Sequence, residues 1–203
     1  MKKIITAVLL SALCGTVLGQ TVLQPFSLME VRLLDGPFKQ AQETDKKYML
    51  SLDADRLLAP YLREAGLKPK AESYGNWENT GLDGHIGGHY LSALALMYAS
   101  TGDAKVKERL EYMIAELDKC QRQNGDGYLA GIPGGKEIWK EIKAGNIKSS
   151  SFSLNGKWVP LYNIHKIYAG LYDAYAVAGN AKSKQMLIKL TDWCVDMVSN
   201  LSD

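Results

Sequence analysis

Along most of the chain the apolar residues recur every three or four positions, the period of α-helices with a buried stripe. After an extended start over residues 27–34, Asp35-Gly36-Pro37 forms a helix entry, with Asp available as a cap and Pro tolerated in the first turn. The pattern predicts helices over about 38–52 and 54–64, then a loop rich in Gly, Asn and Lys over 65–84. Two long hairpins follow. Residues 84–100 are apolar or aromatic nearly all round, whereas Val106, Leu110, Met113, Ile114, Leu117 and Cys120 form one stripe, with Lys105, Lys107, Glu108 and Lys119 elsewhere. The second hairpin repeats this contrast, with 161–177 apolar or aromatic all round and a stripe of Leu187, Leu190, Cys194, Met197 and Leu201. A helix that is apolar all round is covered on both faces, so the first member of each hairpin is expected to be inner and the second outer.

The decapeptide from Tyr98 to Lys107 returns 77 residues later from Tyr175 to Lys184, an internal repeat. In each copy a helix ends at Gly (Gly102, Gly179), and the next begins at a residue that caps free N–H groups (Asp103, Asn180). Repeated inner–outer hairpins predict an all-α fold of the (α/α)6 toroid type. A closed ring of such helices takes more than about 300 residues, so residues 20–203 are expected to be the N-terminal half of the toroid, truncated after the last stripe. Residues 130–158 are expected to form a long loop carrying Trp139 and Trp158.

The first residues change the picture of where the protein works. Lys2 and Lys3 precede an apolar run from Ile4 to Leu13 and a small-residue site at Val17-Leu18-Gly19, the pattern of an export signal over 1–19. The apolar run is shorter than the roughly 20 residues of a membrane span, so a periplasmic or secreted protein without a transmembrane anchor is expected. Without Lys2 and Lys3 the 24 basic residues fall to 22, equal to the 22 acidic ones, and no basic cluster remains, which sets a nucleic-acid partner aside and suits an uncharged polyol. Cys120 and Cys194 show no C-x-x-C spacing and sit within apolar stripes, so they are expected to be separate buried thiols rather than metal ligands.

Candidate chemistry gathers on the inner helices. His85, His89 and Ser92 fall on one stripe and are expected to face the lumen; the alternative is a hydrogen-bonded core pair. A zinc pair is disfavoured, because Ile86 stands where H-E-x-x-H requires glutamate. Tyr162, His165, Tyr168, Tyr172 and Tyr175 line the second inner helix; His165 is read as functional, Tyr168 and Tyr175 as packing. Asp126 and Tyr128 lie in a Gly-punctuated turn expected at the toroid mouth, where Asp126 is either a turn former or a ligand contact. Trp77, Glu78 and Asp83 lie just upstream of His85, and no catalytic pair of carboxylates is assigned from them.

The run Trp77-Glu78-Asn79-Thr80-Gly81-Leu82-Asp83-Gly84-His85-Ile86-Gly87-Gly88-His89-Tyr90-Leu91-Ser92, with Cys120-Gln121 through Gly127-Tyr128-Leu129, Val159-Pro160-Leu161-Tyr162-Asn163-Ile164-His165-Lys166 and the opening Val31-Arg32-Leu33-Leu34-Asp35-Gly36-Pro37-Phe38, resembles the β-L-arabinofuranosidase family of glycoside hydrolases. The resemblance implies an (α/α)6 barrel and removal of β-L-arabinofuranosyl units from plant glycans with retention. It further implies a zinc-bound cysteine nucleophile and a glutamate acid/base, both expected beyond Asp203, so that this chain alone carries no catalytic or metal residue and is expected to be inactive without the C-terminal half of the protein. His85, Asp126, Tyr128 and His165 match cavity-facing positions of the family and are the expected substrate contacts, followed by Trp77 and His89. Two other readings remain: a non-catalytic or vestigial sugar-binding half-barrel, and another helical-toroid enzyme such as a lyase, an unsaturated uronyl hydrolase or an epimerase.

Overall fold

A computed structural model describes residues 23–202, so the expected export signal lies outside the described residues. The chain is all-α, with a small sheet. Its elements are α1 (Pro37–Ser51), α2 (Ala54–Glu64), α3 (His85–Thr101), α4 (Ala104–Asn124), α5 (Gly135–Lys143), β1 (Ser149–Ser150), β2 (Ser153–Leu154), β3 (Lys157–Trp158), α6 (Pro160–Ala176) and α7 (Ala181–Val198). None of the described helices is long and apolar enough to cross a membrane.

The repeat read in the sequence is present in three dimensions. Gly102 and Gly179 both adopt φ +71°, the left-handed turn that ends a helix. Asp103 Oδ1 then accepts from the N–H groups of Lys105 and Val106, and Asn180 Oδ1 from that of Ser183, capping α4 and α7. Even the cation–π contact is duplicated, with Lys107 over Tyr98 and Lys184 over Tyr175. The stripe of α4 is fully buried: Val106, Leu110, Met113, Ile114, Leu117 and Cys120 form the outer wall of the core, each worth about 1.5–3 kcal/mol on removal from water.

Helices α3 and α6 make the most extensive contact between elements. Glycine permits it. A Cβ on Gly88 would lie 2.7 Å from Ile167 N and overlap the Lys166 carbonyl, and one on Gly170 would lie 2.5 Å from Gly88 O and 2.8 Å from Leu91 Cβ. The two backbones therefore touch, and Leu91, Leu94, Ile164, Ile167 and Leu171 fill the flanks.

Four expectations are corrected. The segment 130–158 is not a plain loop: it holds α5, whose Ile138, Trp139 and Ile142 are buried, and a three-stranded antiparallel sheet turned by Asn155-Gly156, both at positive φ. Seven α-helices are present among the described residues where about six are expected from the periodicity, because α5, at nine residues, is shorter than the window over which a helical period stands out. The last helix ends at Val198 rather than Leu201. Nor are α3 and α6 covered on both faces: His89 and Leu96 on α3, and Leu161, Tyr162, His165 and Tyr172 on α6, are exposed.

Replacing Gly88 by Ala is expected to destabilise the chain by about 1–3 kcal/mol or more through forced separation of α3 and α6. Gly75→Ala, with open space around its Cβ, is the control. Urea unfolding checks this; equal midpoints for the two variants would contradict the tight contact.

Candidate functional site

The open side of α3 and α6 is organised from below by one residue. Glu78 lies in a 3-10 turn (Asn76–Glu78) and is 0% exposed. Its Oε2 accepts from Gly84 N at 2.9 Å and its Oε1 from Ile86 N at 3.0 Å. These are free N–H groups of the first turn of α3, whose cap residue, Gly84, has no side chain to serve them. The carboxylate thus caps the helix from six residues upstream and gains from the positive end of the helix dipole. Its remaining partner is His85: Nδ1 lies 2.7 Å from Glu78 Oε1 and 2.8 Å from Leu82 O.

Two further side chains fix the same corner. Asn163, fully buried on α6, donates through Nδ2 to Leu82 O at 3.1 Å and Asp83 O at 2.7 Å, and Tyr61 on α2 donates to Gly84 O at 2.5 Å. The segment 82–84 is consequently held by α2, α3 and α6 together. Asp83 is buried and accepts from Gly81 N, and burial, with the Glu78 charge, pushes its carboxyl up.

Around this corner stand the aromatic and basic groups of the face. Trp77 is 59% exposed and its ring centre lies 5.7 Å from that of Trp158. Backbone strain fixes both: Asn76 has φ +58°, and Val159 has φ +35°, a conformation costly for a β-branched residue. Tyr162 lies 6.1 Å from His85 and 6.5 Å from His89 between ring centres, with Lys166 Nζ 4.4 Å over its ring. His165 is exposed on the same helix.

The two neighbouring histidines are driven apart. Burial works against a charge on His85, but the Glu78 hydrogen bond, the Leu82 carbonyl and the Glu78 charge outweigh it and hold its pKa above the ordinary value. His89 is pushed below that value by burial and then by the charges of Lys166, His85 and His165.

The structure brings His85 and His89 together with Tyr162, leaves His165 exposed on the helix of Tyr162 and Trp77 in the turn just before α3, and does not place Asp126 and Tyr128 with them. Tyr128 is no open-mouth residue: it is 1% exposed, with its ring 4.9 Å from Trp193. The reason is close backbone contact at the turn, where Gly127 packs against the Lys189 carbonyl and draws Tyr128 inward. Asp126 Oδ1 accepts from Tyr128 N at 3.0 Å, so it forms the turn. Both line a separate cleft of about 430 Å³ with Asn124, Lys136, Trp139 and Trp193. His85 is also less open than a lumen stripe implies, at 8% exposed. The sequence pattern does not mark Asn163 or Lys166 as site residues, and it offers Glu78 only as a candidate carboxylate for catalysis. No periodicity marks a loop carboxylate as the cap of a later helix.

The described residues do not fit a zinc–thiolate centre. Cys120 is fully buried with its thiol pushed up to about 12 by burial, and Cys194 is a half-buried free thiol on another helix, also raised by burial. Among the described residues no three His, Cys, Asp or Glu side chains stand close enough to hold a metal.

Residues 30–203 match the family model of the β-L-arabinofuranosidase, GH127 catalytic domain. Among curated proteins no match is found.

The His85 titration sets a pH dependence. Its folded pKa is raised, so the ion pair with Glu78 contributes stability that is complete below the ordinary imidazole value of about 6.5 and is lost as pH rises through the folded value. The difference in unfolding free energy between the wild-type chain and His85→Gln is expected to be larger at pH 5.5 than at pH 9. A difference that grows with pH would contradict the assignment.

Proposed function

The chain belongs to the β-L-arabinofuranosidase family of glycoside hydrolases, with the GH127 catalytic domain matched over residues 30–203, and on that premise we propose that its open α3–α6 face holds a terminal β-L-arabinofuranosyl unit of a plant glycan. The observation that carries this is the cluster of His85, His89 and Tyr162 on α3 and α6, together with the exposed Trp77–Trp158 pair formed by the segments that lead into those two helices. Aromatic faces suit the C–H surface of a sugar, and the imidazole and phenol edges suit its hydroxyls. The α3–α4 and α6–α7 hairpins are in this proposal the repeating unit of an (α/α)6 toroid, and the face is part of its lumen.

Bond cleavage, with retention of configuration, is assigned to residues outside this chain. Glu78 and Asp83, the carboxylates that precede His85, are buried and committed to backbone N–H groups, which leaves neither free to protonate a leaving group. Zinc, expected from the family resemblance, is likewise assigned to residues outside this chain. The proposed contacts to the sugar are His85, His89, His165 and Trp77; Asp126 and Tyr128 are left to the separate cleft. Export to the periplasm or the medium is part of the proposal, on the charge and apolar pattern of residues 1–19.

Isothermal calorimetry of the 203-residue chain with methyl β-L-arabinofuranoside tests the proposal. Binding without release of arabinose is expected, and Trp77→Ala is expected to weaken it about tenfold, the factor set by about 1.4 kcal/mol. Undiminished binding by Trp77→Ala, or preference for a uronic acid, would overturn it.

A further inference from the structure

Glu78 does more than cap α3. The chain has three histidines, and all of them stand on or beside the α3–α6 face, yet among the described residues only His85 has a carboxylate partner. We propose that Glu78 is the positioning residue of this face: it locks the His85 ring with Nδ1 turned inward, so that Nε2 is the edge offered to a hydroxyl of the bound sugar. The sugar half of this proposal rests on the function proposed above; the ring orientation and its protonation do not.

The orientation follows from donors and acceptors. His85 Nδ1 lies 2.7 Å from Glu78 Oε1 and 2.8 Å from Leu82 O. A carboxylate and a carbonyl only accept, so Nδ1 carries a proton in both charge states of the ring. The proton that titrates is therefore the one on Nε2, at the edge away from Glu78. Rotation of the ring is blocked because Glu78 is itself held by Gly84 N and Ile86 N, and the Leu82 carbonyl by Asn163.

The surrounding charges give the two neighbouring rings different tasks. Glu78 approaches from the loop, Lys166, His165 and Tyr162 from α6, and His89 from α3, while the charge of Asp83 beside Glu78 is faced by Arg63 of α2 at 3.8 Å. Among the described residues His85 is the one histidine in direct contact with a carboxylate, which favours its charged form over the opposition of burial and of Lys166. His89 has no such partner, and its Nε2 lies 3.4 Å from Tyr162 Oη. Over the pH range between the two titrations His85 donates from Nε2 and His89 is neutral with one nitrogen free to accept. A sugar hydroxyl, which both donates and accepts, matches such a pair.

Nitrogen-15 and carbon-13 NMR of the labelled 203-residue chain tests this, because only three imidazole spin systems need assignment. The expected result in the wild type is that His85 titrates above His89 and that neutral His85 is the Nδ1–H tautomer. In Glu78→Gln the His85 midpoint is expected to fall by at least about one pH unit, the effect of losing an opposite charge at this range, and Glu78→Asp is expected to restore part of it. Neutral His85 in the Nε2–H form, or a His85 midpoint at or below that of His89, would overturn the proposal, and either is measurable in the wild type without a variant. Adding methyl β-L-arabinofuranoside is expected to shift the Nε2 signal of His85. Sugar binding that leaves this signal unmoved would refute Nε2 as the presented edge. No sugar binding at all, with tautomer and titration order as expected, would count against the carbohydrate function and support the role of Glu78 on its own.

Discussion

The close approach of α3 and α6 is the constraint from which the rest follows. At Gly88 and Gly170 two backbones meet with no side chain between them, so the position of one helix along the other is fixed by shape rather than by adaptable side chains. That register places Asn163 beneath the Leu82 and Asp83 carbonyls and Tyr162 beside His85 and His89. A side chain at either glycine would separate the helices, and the polar corner at the start of α3 would lose its partner from α6 before any site residue was touched.

Burying a carboxylate at that corner is costly unless its oxygens are satisfied. Glu78 meets the condition with two helix N–H groups and one imidazole. The same device recurs in the outer part of the molecule: Glu64, at the end of α2, accepts from Gly134 N and Lys136 N at the start of α5, each at 3.0 Å. In both places a glycine occupies the cap position and a distant glutamate replaces the cap side chain. A local cap stabilises only its own helix; a distant one also ties two segments together, which is how the loop bearing Trp77 and the turn before α5 are joined to the helical frame.

These distant caps explain where the sequence was legible and where it was not. The buried stripe of α4, the apolar character of α3 and α6, and the Gly-Asp and Gly-Asn junctions are written in local spacing, and those elements stand within a few residues of their expected bounds, whereas the buried side of α7 is Met186, Leu190, Trp193 and Met197 rather than the full expected stripe. The helix α5 was not legible, since its nine residues hold three buried apolar side chains and its start depends on a carboxylate 70 residues away. The candidate site divides in the same way. Helical spacing put His85 and His89 on one stripe, but it could not say that Glu78 would cover His85, nor that the turn around Gly127 would bury Tyr128.

Strain gives the face its remaining definition. A tryptophan standing largely in water needs something other than core packing to hold it in place, and here the backbone supplies it. Asn76 and Val159 both adopt left-handed angles directly beside Trp77 and Trp158. For a β-branched residue such a conformation costs on the order of 1–3 kcal/mol and persists only where its surroundings over-determine it. Around Val159 they do: its N–H donates to Phe152 O, its carbonyl accepts from Tyr162 N, and Pro160 starts α6 at once. The ordered sheet and the first turn of α6 thus hold Val159 in that conformation, and the two indole rings meet at 5.7 Å because the chain on either side of them has no cheaper path. An aromatic platform fixed in this manner loses little freedom when a ligand settles on it, which is the condition under which a small apolar contact contributes most to binding.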